Sequence, residues 1–219
     1  MLAEDVKTYF SDIKAVIDKL PYRKVEEIIE VLHDAYENGK TVYTMGNGGH
    51  GSTAAHWIND LAKHLVVSED KTKVVVSGKR LRTLCLNDSI STLTGWANDT
   101  GYDNCFSEQL KNWVEKGDVV IGISGSGNSE NVLRSFKVAK DAGAKTICLS
   151  GKSGGRAKDV ADICIVVPSD HDGYIEDIHM IIAHLTSNIL KKVIQSEHLN
   201  GTVPDLRSEA RRIGTVPRG

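Results

Sequence analysis

Aromatic residues are scarce in this chain: only 5% of its 219 residues are Phe, Trp or Tyr. Valine, isoleucine, leucine and alanine must therefore fill the core. An excess of either charge is also missing. Lys and Arg number 27 and Asp and Glu 29, for a formal net charge of −2. Nucleic-acid-binding domains carry a strong basic excess, so no nucleic-acid partner is expected, although a local basic pocket for one phosphate is still allowed. No apolar run reaches membrane-spanning length, and no membrane partner is expected. Met1-Leu2-Ala3-Glu4-Asp5 lacks the basic start and apolar stretch of a signal peptide. No two cysteines form a CxxC pair. Cys85, Cys148 and Cys164 lie in apolar, strand-like runs, and with Cys105 they read as buried thiols of a reducing cytoplasm.

The length suits one domain with appendages. Val6, Tyr9, Phe10, Ile13, Val16, Ile17 and Leu20 recur at helical spacing, predicting a helix over 5–20 that stops before Pro21. Val25, Ile28, Ile29, Leu32, Ala35 and Tyr36 repeat the pattern, and Asn38-Gly39 ends it. Residues 1–40 thus read as a helical preface whose apolar stripes serve contact between subunits. Strands and helices then alternate. Strands are expected at 41–45, 82–86, 119–124, 146–150 and 163–167, and helices at 52–65, 89–98, 106–114, 129–142 and 173–195. This predicts an α/β fold, a three-layer αβα sandwich with a central parallel sheet, over residues 41–197. Residues 198–219, with Gly201, Pro204, Gly214 and Pro217, read as an irregular tail.

Two strand-to-helix turns stand out. One is Gly46-Asn47-Gly48-Gly49-His50-Gly51-Ser52 and the other Ser124-Gly125-Ser126-Gly127-Asn128-Ser129. Glycines let backbone N–H groups approach an anion, a helix N-terminus favours it, and serine hydroxyls add donors. Either turn alone could be an ordinary connection with Ser129 as a cap. Two of them at the carboxyl ends of strands point to a phosphorylated ligand. Neither matches a nucleoside-triphosphate loop or a dinucleotide fingerprint.

These two loops, together with the runs 93–102 and 106–110, resemble the sugar isomerase (SIS) domain, and within it the phosphoheptose isomerase family. That family interconverts sedoheptulose 7-phosphate and an aldoheptose 7-phosphate. The resemblance implies a phosphate held by Ser124, Gly125, Ser126 and Ser129. It puts Asn47, Gly48 and Gly49 along the sugar, with Asn98, Asp99 and Gln109 near the substrate. It also implies a homotetramer whose active sites form between subunits.

A further set of residues carries the chemistry. His56 and Asp60 are spaced i, i+4 and share one helix face. Glu176 and His184 lie on roughly one face of the last helix. Such spacing also fits ordinary surface or core pairs. The resembling family has His-x-x-x-Glu after its first loop and Gln-x-x-His-x-x-x-x-His on its last helix. These positions correspond to His56, Asp60, Glu176, His179 and His184. The resemblance implies a divalent metal, zinc, on His56, Asp60, Glu176 and His184, with Asp60 and His184 as the proton-transfer pair. Four departures mark the chain: Asp60 for Glu, Glu176 for Gln, His50 for Ser and His64 for Arg. His50 either contacts phosphate when protonated or is a solvated loop residue. The rival expectation is a non-catalytic SIS protein that binds a replication initiator or senses a sugar phosphate. It would keep the loops and lose the His/carboxylate set.

Overall fold

The computed structural model describes residues 2–200. Five strands form one wholly parallel sheet: β1 (Thr41–Gly46), β2 (Arg82–Cys85), β3 (Val119–Ser124), β4 (Lys145–Gly151) and β5 (Ile163–Val167). The order is β2-β1-β3-β4-β5. The chain leaves β1 toward β2 on one side and returns to β3 on the other, with Gly46 beside Ile123 in the β1–β3 register. Connections part at that point, and open parallel sheets bind ligands in the crevice this creates. The loops after β1 and β3 flank it.

Every residue of β1 and β3 is buried, as expected for central strands covered on both faces. The apolar side chains divide into two cores, one per face. Trp57, Leu61, Ile121, Leu149, Ile178 and Ile182 belong to one. Phe106, Leu110, Val132, Phe136, Met45 and Cys148 belong to the other. Each fully buried aliphatic side chain contributes about 1.5–3 kcal/mol, which lets few aromatics suffice. The four cysteines are buried and free. Among the described residues no helix is long and apolar enough to cross a membrane.

Helix α1 spans Leu2–Ile17 and α2 spans Tyr22–Glu37. Their apolar periodicity is alike, but their fates differ. The α2 stripe (Val25, Ile28, Ile29, Leu32, Ala35, Tyr36) is buried within the chain, so the expectation that both stripes remain for another subunit is corrected for α2. Helix α1 has no fully buried residue: Val16 and Ile17 at its end pack against the core, and Leu2, Val6 and Phe10 are exposed. It is tied down by Tyr9, whose hydroxyl donates to Asp177 at 2.7 Å, and by Asp12, which accepts from Tyr174 at 3.1 Å.

Helix α3 (Gly49–Lys63) begins three residues before the predicted start. Its first turn is built from the glycines of the loop itself. Then come α4 (Ile90–Thr100), the short α5 (Ser107–Lys111), α6 (Glu130–Asp141), α7 (Ala157–Val160) and the 29-residue α8 (Asp172–Asn200). The expected irregular tail starts inside α8. From residue 201 onward it lies outside the described residues.

Candidate functional site

The loop after β3 is shaped to receive an anion. The Ser124 and Ser129 hydroxyls share a hydrogen bond at 2.9 Å. Ser129 stands at the cap position of α6 but makes no side-chain cap bond to it, so its hydroxyl is not spent on the helix. Ser126 is exposed, and its hydroxyl accepts from the Asn128 amide at 3.2 Å. Gly127 has φ +65°, and a methyl there would collide with the Gly154 carbonyl. That carbonyl belongs to a third loop, Gly151 to Arg156, which sequence reading passed over. The Gly151 amide donates to the Gly125 carbonyl and the Ala157 amide to the Gly127 carbonyl, each at 2.9 Å. Arg156 bonds the Asn128 carbonyl and Glu130. Arg156 and Arg134 also hold the Glu130 carboxyl below its usual pKa, so this acid at the mouth of the loop is offset by two guanidinium groups. The run Gly-Lys-Ser-Gly-Gly-Arg directly after a buried strand was the available signal.

The loop after β1 is packed otherwise. Asn87 clamps Gly46, donating to its carbonyl at 2.8 Å and accepting from its amide at 3.2 Å. Asn47 exchanges bonds with Asn131 at 3.0 and 2.9 Å, and Tyr102 donates to the Asn47 oxygen at 2.9 Å. Gly48 takes φ +56°. Above Gly49 lies a carboxylate: a methyl on Gly49 would land 2.5 Å from Glu176 Oε2. Glu176 Oε1 is also 3.5 Å from His50 Nδ1. An anion belonging to the protein therefore faces the N-terminus of α3, where the helix dipole favours negative charge. A phosphate there would meet like charge. Only one of the two predicted phosphate loops is free for that role.

His50 is mostly buried, with its Nε2 toward Gly125 and no partner. Burial holds its imidazole below the usual pKa, against the upward pull of the Glu176 and Asp172 carboxylates. Its ring meets His179 edge-on at 5.3 Å. His179 is fully buried on α8 and contacts the Ser150 carbonyl at 3.1 Å. Burial pushes it down to about 3, with the Ser150 carbonyl acting in the other direction.

Further along the same helices the chemical cluster forms. Helices α3 and α8 run side by side in the same direction, and their facing residues meet in order. His184 Nε2 lies 2.8 Å from His56 Nε2. Asp60 Oδ2 is 3.5 Å from His56 Nε2 and 4.0 Å from His184 Nε2. The three donor atoms lie within 4.8 Å of one another. Two imidazole nitrogens and one carboxylate oxygen form a donor set suited to zinc and similar ions. Glu176, expected as a fourth member, is not in this group. The other such grouping among the described residues is His33, Glu37 and Glu197. There the Lys79 ammonium already stands 3.6 Å from Glu37.

The remaining predicted residues lie apart from the trio's bonds. Asn98 donates to Asp99 at 2.8 Å on the exposed face of α4. Gln109 is buried, and its amide nitrogen donates to the Leu86 and Cys105 carbonyls at 3.2 and 2.7 Å. It braces α5 against the segment after β2. His64 contacts Asn188 at 2.8 Å.

A family model described as SIS domain matches residues 8–151. A phosphoheptose isomerase of Geotalea daltonii is 32% identical over 199 residues, covering 90% of this chain and 99% of that protein. One of Clostridium acetobutylicum is 34% identical over 177 residues, covering 81% of this chain and 86% of that protein. The solved structure of a phosphoheptose isomerase from Neisseria gonorrhoeae superposes with a TM-score of 0.78 at 26% identity. The match covers 88% of this chain and all of that one. The loops after β1 and β3, the parallel sheet between them and these matches together place the chain in the SIS domain family, in its phosphoheptose isomerase branch.

Proposed function

We propose that the protein is a cytoplasmic ketose–aldose isomerase that converts sedoheptulose 7-phosphate to D-glycero-D-manno-heptose 7-phosphate. The observation that carries this reading is the convergence of His56, Asp60 and His184 on α3 and α8, with α3 opening beside the serine loop after β3. The relatives named phosphoheptose isomerase supply the substrate. The phosphate would sit on the loop after β3, held by Ser124, Ser126, Ser129 and the backbone of Gly125. Asn47, with Gly48 and Gly49, would border the sugar, and Asn98, Asp99 and the braced Gln109 would shape its surroundings.

Isomerisation moves one proton between neighbouring carbons through an enediol. Asp60 would take the proton from the carbon acid. His184, 2.8 Å from His56, would pass a proton to and from the sugar oxygen. Alternatively the same donors, His56, Asp60 and His184, would hold a divalent metal, zinc by the chemistry of the set, and such an ion supplies Lewis-acid polarisation of an oxygen in place of their proton transfer, because a coordinated carboxylate or imidazole is a poorer free base. The preface of residues 1–40 would serve a homotetramer through the bare stripe of α1, next to the SIS domain of residues 41–197.

The test is incubation of the protein with sedoheptulose 7-phosphate, followed by NMR with and without a chelator. Aldoheptose phosphate should appear, and chelation should suppress it. No turnover with any divalent metal added would reject the reading and favour a binding role.

A further inference from the structure

A second cluster of His and carboxylate groups lies at the far end of α8, between that helix and α2. His33 and Glu37 stand one turn apart on α2, in i, i+4 spacing that puts them on one face. Glu197 reaches them from α8: its Oε1 is 2.8 Å from His33 Nε2. One donor atom from each of the three lies within 4.8 Å of the others. Glu197 and His184 are 13 residues apart on α8, about 20 Å along the axis at the usual rise, so this cluster is separate from the trio. An ion pair accounts for His33 and Glu197, whose side chains are each only 13% exposed. It does not account for Glu37. Among the described residues the Glu37 carboxylate makes no hydrogen bond, and the Lys79 ammonium stands 3.6 Å from it. That ammonium is held by other groups: it donates to the Glu37 carbonyl at 2.6 Å and lies 5.0 Å over the Tyr36 ring. Glu37 can therefore turn toward His33 and Glu197 without costing Lys79 either contact. Two carboxylates beside one ammonium and one imidazole leave a surplus of negative charge when the imidazole is neutral.

We propose that His33, Glu37 and Glu197 form a second divalent-cation site, apart from the crevice, that pins the end of α8 to α2. One imidazole nitrogen and two carboxylate oxygens are a donor set for zinc and similar ions. The two carboxylates bring the charge that offsets a divalent ion. Glu37 is half-exposed, so water completes the coordination, and the role of the ion is structural. It acts at a junction that already carries a second link, the contact of Tyr36 with His198 at 2.9 Å. The ion would hold α8 just past its last buried residues, Val193 and Ile194.

The experiment is calorimetric titration with zinc of the chelator-stripped, full-length chain carrying His56→Ala and His184→Ala together, with thermal melts alongside. Those two changes remove the imidazoles of the trio, so the result does not depend on whether the trio binds an ion. This background should still take up one zinc per chain, and zinc should raise its melting temperature, as a ligand of the folded state does. Adding Glu37→Gln should weaken binding by on the order of 100-fold and abolish the rise, since even a group outside the ligand shell is worth about 10–100-fold. Without zinc, Glu37→Gln should melt where its parent does, as changes at half-exposed positions usually allow. Glu197→Gln should weaken zinc binding to the same degree. A folded background that takes up no zinc would overturn the site. Zinc binding that Glu37→Gln leaves intact would also overturn it, and His33 and Glu197 would then be an ion pair only.

Discussion

The loop after β1 and the loop after β3 stand side by side at the carboxyl edge of the sheet, and each opens a helix, yet they differ in charge. Around the β3 loop the nearby acid, Glu130, is neutralised by Arg156 and Arg134, and the hydroxyls of Ser124 and Ser129 bond each other. Above the β1 loop stands an uncompensated carboxylate, Glu176, with a largely buried His50 beneath it. On the proposed function one arm of the site would anchor an anion, and the other would carry the chemistry, because α3 goes on to present His56 and Asp60. The role of a glycine-rich turn is set by what packs over it as much as by its own residues.

If that division holds, variants in the two arms should fail differently. Asp60→Asn should lower kcat by about 10³-fold with little change in KM, as loss of a positioned base does. A parallel rise in KM would break the division. Gly127→Ala should destabilise the fold by about 2–5 kcal/mol, adding overpacking against the Gly154 carbonyl to a left-handed backbone. Gly48→Ala, at φ +56° and ψ −127° but with open space around it, should cost about 1–3 kcal/mol. Chemical denaturation of both variants measures the gap. Ser124→Ala combined with Ser129→Ala should raise KM by about 10–100-fold, the worth of lost hydrogen bonds to a charged group. kcat at saturation should be largely kept, and inhibition by inorganic phosphate should weaken.

A further effect concerns His179, behind the β1 arm. Unfolded, it binds a proton at about 6.5; folded, only at about 3. The stability it contributes is complete above pH 6.5 and is lost as pH falls from there toward 3. The slope is at most about 1.4 kcal/mol per pH unit. Urea melts between pH 7 and 4 should show a shallower fall for His179→Gln than for wild type.

Much of the fold was legible in the residues. The alternation from Thr41 to Val167 identified all five strands, because buried parallel strands are written as short apolar runs. The pairing of His56 with Asp60 followed from their spacing, and that of His184 with them from the family likeness. Other features were not legible. Helices α1 and α2 share a periodicity, and only tertiary packing distinguishes the buried stripe from the bare one. Glu176 read as a ligand because face and charge were right, but its partner, His50, lies 126 positions earlier. Gln109 read as a substrate contact, whereas two backbone carbonyls left over from turns occupy its amide nitrogen. The brace from Gly151 to Arg156 was signalled only by its Gly-Lys-Ser-Gly-Gly-Arg run after a strand, and its contacts with Gly125 and Gly127 come from the fold.

Helix α1 has one more consequence. Its side-chain hydrogen bonds to the rest of the chain run to Tyr174 and Asp177, which flank Glu176 on the first turns of α8. Whatever covers Leu2, Val6 and Phe10 therefore pulls on the same stretch of helix that orients the crevice carboxylate. If a second copy covers them, dilution weakens that hold by mass action. Specific activity would then depend on protein concentration, and the abundance of the protein would itself set its output.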